Sequence, residues 1–100
     1  MNFWALWCKP CHIEMKELEK LYSKYNVSGF EILGINQDTP RSVAKVESFL
    51  SSQNFSFNIG LDPNRVYFDM FNAQAVPHTV LFDREGKVAY QSTGYLPGDI

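Results

Sequence analysis

Apolar and polar positions along this chain repeat with two periods that alternate from one end to the other. Asn2 to Leu6 is short, apolar and aromatic, as a buried strand is. From Cys8 to about Tyr25 the period becomes helical. Met15, Leu18, Leu21, Tyr22 and Tyr25 share one face, and Lys16, Glu19, Lys20 and Lys24 lie mostly on the other. Pro10 falls in the first turn, where its missing N–H has no partner to lose. Ser28-Gly29 ends that unit, and Phe30 to Ile35 reads as a second buried strand. Thr39-Pro40 is an N-cap and first-turn pair for a helix running to about Ser52, with Val43, Val46, Phe49 and Leu50 as its apolar face. Phe55 to Leu61 predicts a short strand, Asp62-Pro63-Asn64 a turn, and Val66, Tyr67, Met70 and Phe71 a short third helix. Thr79 to Phe82 and Val88 to Ser92 flank Asp83-Arg84-Glu85-Gly86, a hairpin signal with Gly at the position needing positive φ.

This order gives a βαβ unit with a parallel pair, extended by an antiparallel hairpin into a mixed sheet. No repeat, linker or low-complexity segment divides it, so residues 1–100 are expected to form one α/β domain. The helix after Cys8 and the short helix near Met70 are expected on one face of the sheet, and the helix after Thr39 on the other. Both ends read as cut, since the first strand starts almost at Met1 and the chain stops at Gly98-Asp99-Ile100. The expectation is therefore a domain truncated at both ends, with apolar strand residues left wet or covered by a neighbour.

Composition narrows the classes. The chain is 45% hydrophobic and 15% aromatic, too apolar for disorder. A net charge of −2 with scattered Lys and Arg forms no basic stripe, which argues against a nucleic-acid partner. No apolar stretch approaches the roughly 18 residues needed to span a membrane, and no segment reads as a signal peptide.

The chemistry concentrates in Trp7-Cys8-Lys9-Pro10-Cys11. A strand that delivers Cys-x-x-Cys to the first turn of a helix is suited to redox work. The helix N-terminus carries roughly half a positive charge and free N–H groups, both of which favour a thiolate. Such a thiolate attacks disulfides, and the second cysteine can then close the ring and release the product. These are the only cysteines in the chain, so no other disulfide framework competes for them. Cys8-Lys9-Pro10-Cys11-His12 also satisfies the c-type haem attachment pattern, with Met15, Met70 and His78 as candidate axial ligands. A central apolar strand running straight into the motif leaves little room for a porphyrin. Zinc fits less well, because the two cysteines and His12 make at most three ligands. A redox-inert binding module is the third alternative, and two intact cysteines argue against it.

Glu14 lies within roughly 40° of Leu18, Leu21 and Tyr25 on the helical wheel, in the middle of the apolar stripe. A carboxylate there is costly unless it carries protons or finds a donor. Burial is expected to raise its pKa and let it pass protons to and from Cys11. The plainer alternative is an exposed first-turn acid that complements the helix dipole. Val76-Pro77 immediately before a strand suggests a cis bond that would shape a substrate groove.

Residues 2–11 resemble the active-site segment of the thioredoxin fold, in its TlpA/ResA-like branch of membrane-anchored or periplasmic bacterial thiol-disulfide oxidoreductases. Glu14, Val76-Pro77, Asp83-Arg84-Glu85-Gly86-Lys87 and Gly94 extend the resemblance over nearly the whole chain. Three positions depart from it: Asn2 stands where thioredoxin has a buried Asp, Lys16 where the branch often has Pro, and His78 where Thr is usual. The resemblance implies a three-layer α/β sandwich around a mixed sheet, lacking the final helix expected after Pro97-Gly98. It implies a protein thiol-disulfide oxidoreductase, in the reducing direction rather than the oxidising one. Cys8 would be the nucleophile, Cys11 the resolving thiol and Glu14 the proton carrier, with Trp7, Lys9, Pro10, Val76 and Pro77 meeting the substrate. No metal or organic cofactor is implied. The partners would be protein dithiols or disulfides and a redox partner protein. The place would be the periplasm or the extracytoplasmic side of a bacterial membrane, with any anchor outside this stretch.

Overall fold

A computed structural model gives the structure of residues 1–94. Five strands form one sheet in the order β3-β2-β1-β4-β5. They are β1 (Asn2–Trp4), β2 (Leu33–Asn36), β3 (Asn58–Leu61), β4 (His78–Phe82) and β5 (Val88–Thr93). The helices are α1 (Lys9–Tyr25), α2 (Val43–Gln53) and the short α3 (Val66–Met70). β1, β2 and β3 are parallel, while β4 runs antiparallel to β1 and β5 antiparallel to β4. The mixed sheet and three-layer arrangement meet the expectation. The expected absence of a helix after Pro97-Gly98 lies outside the described residues.

The faces are assigned differently from the expectation. α1 and α2 share one face, where Trp4, Met15, Leu18, Val46 and Phe57 pack together with the cysteines. Among the described residues α3 alone covers the other face, through Phe68 against Phe3, Ile35 and Val80. Chain direction explains this. The steps β1 to β2 and β2 to β3 move the same way across the sheet, and two right-handed crossovers in one direction put both helices on one side. Only after β3 does the chain return past β1 to β4.

Local differences have equally local causes. β1 stops at Trp4: its carbonyl still takes the Gln37 N–H of the ladder at 2.8 Å, but the Leu6 N–H goes to the Asp38 side chain, Oδ2 at 2.8 Å, instead of to neighbouring backbone. β2 starts only at Leu33, since its pairing with β1 begins at Asn2 opposite Gly34. Thr39-Pro40 opens a 3₁₀ turn, Pro40–Ser42, and α2 proper begins at Val43. In α3 the buried residue is Phe68, whereas Val66, Tyr67 and Met70 are exposed. Asp62 sets that orientation by accepting the N–H groups of Val66, Tyr67 and Phe68 at 2.9, 3.2 and 3.1 Å. The hairpin turn forms as read, with Gly86 at φ 82° and Asp83 Oδ1 accepting from Glu85 and Lys87, both at 2.9 Å.

Candidate active site

The cysteine pair lies at the carboxyl ends of the parallel strands, where α/β sheets place their sites. Cys8 is the N-cap of α1 in extended conformation, and its Sγ accepts the Cys11 N–H at 3.2 Å. The two sulfurs form a disulfide, with Cα atoms 5.2 Å apart. Cys11 is fully enclosed and Cys8 retains 4% of its surface, so Cys8 is the more accessible of the two in this oxidised form. A thiolate released at Cys8 would meet the N-terminal end of α1, whose N–H groups and dipole favour negative charge.

The cis peptide bond expected at Val76-Pro77 is present. Pro77 is buried, its carbonyl accepts the Gly94 N–H at 2.7 Å, and Val76 packs against the cluster that holds both cysteines. Trp7 is 74% exposed. With Val76, Ala75, Gln37, Arg65 and Phe68 it lines a small cleft of about 130 Å³. Lys9 and Pro10 are exposed on the first turn of α1 and do not line that cleft. A larger groove of about 1020 Å³ opens at the opposite end of the sheet, around Met1, Ile32 and Leu81, away from the cysteines.

Glu14 is 4% exposed, so the alternative of a solvated first-turn acid is set aside. It lies one turn along α1 from Cys11, on the face with Met15 and Leu18. Asn2 Nδ2 donates to Glu14 Oε1 and, at 3.1 Å, to Thr79 Oγ1, while the Thr79 hydroxyl reaches Glu14 Oε1 at 3.5 Å. The sequence reading noted Asn2 only as a departure and did not single out Thr79. Their pairing across β1 and β4 joins positions that no local pattern connects. It also missed the loop after β2, where Asp38 accepts from Leu6 N–H and from Asn36 Nδ2 at 2.7 Å. That carboxylate fixes the backbone leading into Trp7 and Cys8.

The two histidines lie on opposite faces of the sheet. His12 stacks on Phe49, with ring centroids 4.7 Å apart. His78 lies on the α3 face near Phe3, and its ring nitrogens are held by Thr93 Oγ1 at 2.9 Å and Gln91 Oε1 at 3.0 Å.

Comparison with known proteins gives the same picture. The AhpC/TSA family profile matches residues 1–91. The thiol-disulfide oxidoreductase ResA of Geobacillus kaustophilus (strain HTA426) is 36% identical over 96 residues, covering 96% of this chain and 54% of that protein. A crystal structure from Chlorobium tepidum, provisionally named a thiol:disulfide interchange protein DsbE, superposes with a TM-score of 0.91. It is 30% identical, over 98% of this chain and 68% of the other. The thioredoxin domain of a thiol-disulfide oxidoreductase from Bacteroides vulgatus gives a TM-score of 0.80 at 25% identity, over 94% of this chain and 68% of the other. The fold is thus thioredoxin-like, of the TlpA/ResA-like kind that the cysteine motif and Val76-Pro77 resemble. The chain spans about half the length of the curated relatives it matches.

Proposed function

The chain belongs to the AhpC/TSA family, and from that premise we propose that it exchanges thiols and disulfides with protein substrates, as a reductase. The observation that carries this reading is the Cys8–Cys11 disulfide at the N-terminus of α1, with the Cys8 sulfur accepting the Cys11 N–H. In the reduced protein the Cys8 thiolate attacks one sulfur of a substrate disulfide. The other substrate sulfur leaves as a thiolate and takes a proton. Cys11 then passes its proton to Glu14 and attacks the Cys8 sulfur, and the second substrate thiolate leaves. Two electrons have moved from the cysteine pair to the substrate, and a dithiol partner protein restores the pair.

Trp7, Val76 and Pro77, with Lys9 and Pro10 on the exposed first turn, form the surface offered to an extended substrate segment. The haem alternative is disfavoured by the use already made of its ligands. Both sulfurs are bonded to each other, Met15 is in the core, both His78 nitrogens are held, and the exposed Met70 lies on α3, across the sheet from His12. The resemblance of residues 2–11 to the TlpA/ResA-like branch supports a place on the extracytoplasmic side of a bacterial membrane, which cell fractionation tests.

Equilibration with glutathione buffers, alongside reduction of a protein disulfide, tests class and direction together. A potential near the thioredoxin end of the range, about −270 mV, fits a reductase, and one near about −120 mV reverses the direction. No exchange with either partner would remove the reading altogether.

A further inference from the structure

The polar cluster beneath the cysteines contains one atom that the mechanism above does not use. Asn2 is 2% exposed and stands on β1 directly across from Thr79 of β4. Both contacts described for its side chain are made by Nδ2, to Glu14 and to Thr79. The Oδ1 on the same amide is shut off from water and has no hydrogen-bond partner among the described residues. A buried acceptor left empty is costly, and an aliphatic side chain of similar size would avoid the cost. An amide retained there needs a state in which that oxygen is used.

We propose that Asn2 is a positioning residue for Glu14 whose amide turns over when Glu14 takes up a proton. The proposal rests on the proton-carrying role given to Glu14 above. With Glu14 ionised, the carboxylate accepts from Asn2 Nδ2, the arrangement in the structure. When Cys11 gives up its proton, Glu14 becomes a carboxylic acid and its new O–H needs an acceptor. A half-turn about the last side-chain torsion of Asn2, a soft one, exchanges Nδ2 and Oδ1. Oδ1 then accepts from the Glu14 O–H and from the Thr79 hydroxyl, which swings from Glu14 to Asn2. No covalent bond changes in Asn2, and the proton stays on Glu14 until Cys11 needs it back. Nδ2 then takes the place Oδ1 had, so one end of the amide is unpaired in each state and neither state is locked. One neutral side chain thereby serves both forms of the acid, which an Asp at the same place could not do without adding a second negative charge.

The titratable groups on the elements around Glu14 include the cysteine pair and His12 on α1, the latter stacked on Phe49, while Lys16 is exposed and Glu17 pairs with Lys20 at 3.4 Å on the surface. β1 and β4 present the neutral Asn2 and Thr79; the Met1 amino group beside Asn2 donates to the Val80 carbonyl at 2.9 Å, and His78 beside Thr79 points to the opposite face of the sheet.

The test follows the Asn2 side-chain amide by ¹⁵N NMR across pH 5 to 9 in the reduced protein, beside the rate of disulfide reduction. In the wild type the amide resonances should move over the same pH interval as the rate, and in Glu14→Gln they should stay fixed. Asn2→Asp should move the rate profile upward by roughly one pH unit or more, because two adjacent buried carboxyls share a proton. Thr79→Val, which keeps the strand, should shift the profile less and in the same direction. A flat Asn2 signal, or an Asn2→Asp profile superimposable on the wild type, reduces Asn2 to a packing residue and overturns the proposal. If Glu14→Gln itself leaves the rate profile unchanged, the proton role of Glu14 fails first and the proposal falls with it.

Discussion

On the α3 face of the sheet Phe3, Ile35, Phe68, Ala73 and Val80 close around one another, while on the α1 face Trp4, Met15 and Val46 share the interior with both cysteines and border Glu14 and Asn2. The α3 face also has buried polar groups, but they are satisfied: Asp62 caps α3 and His78 holds Thr93 and Gln91. Buried polar atoms without partners among the described residues are Asn2 Oδ1, Trp4 Nε1 and His12 Nε2 on the α1 face, with the Gln37 amide at the end of the sheet by the Trp7 cleft. Native interiors keep such atoms to a few, and they gather where structure yields to chemistry. One face is packed for stability, and the other holds the residues to which redox and proton transfer are assigned in the proposal.

The largest expected effect falls on the stable face. Phe3 is fully enclosed and meets Phe68 edge-on at 5.6 Å. Phe3→Ala should cost about 3–5 kcal/mol in urea unfolding, while exchange by the molecules that remain folded persists. Asp62→Ala comes next. It leaves three N–H groups of α3 without their acceptor and should cost roughly 2 kcal/mol, again with little change in exchange.

Two changes on the other face are smaller in stability and sharpen the contrast. A Cβ at Gly34 would lie 3.0 Å from Ile59 Cδ1, 3.3 Å from Phe57 Cε2 and 3.4 Å from Trp4 Nε1. The nearest of these is the end of a flexible side chain, so Gly34→Ala should cost only about 1 kcal/mol, measured by the same unfolding. Glu14→Gln should change stability least, by less than about 1 kcal/mol, yet alter the pH dependence of disulfide reduction. A Glu14→Gln protein that loses as much stability as Phe3→Ala and keeps the wild-type pH profile would erase the distinction between the faces.

What could be read from the chain was whatever a local period or motif encodes. The burial of Glu14 followed from its place among Leu18, Leu21 and Tyr25, although the enclosed stripe runs instead through Cys11, Met15 and Leu18. The cis bond followed from Val76-Pro77 before a strand, and the Gly86 turn from its tetrapeptide. What escaped was set by distant pairing. Asn2 meets Thr79 only because β4 returns beside β1, and α2 joins α1 only because two crossovers run the same way across the sheet. Phe68, rather than Val66 or Met70, turns inward because Asp62 fixes the first turn of α3, and in a five-residue helix one cap outweighs periodicity.

The central claim is that Cys8 attacks and Cys11 resolves, and trapping tests it most directly. Cys8→Ser and Cys11→Ser proteins, each reduced, are incubated with a protein disulfide substrate and separated without reductant. Cys11→Ser should accumulate a mixed disulfide through Cys8 that reductant releases, and Cys8→Ser should form none. Stable adducts on Cys8→Ser with none on Cys11→Ser would contradict the account.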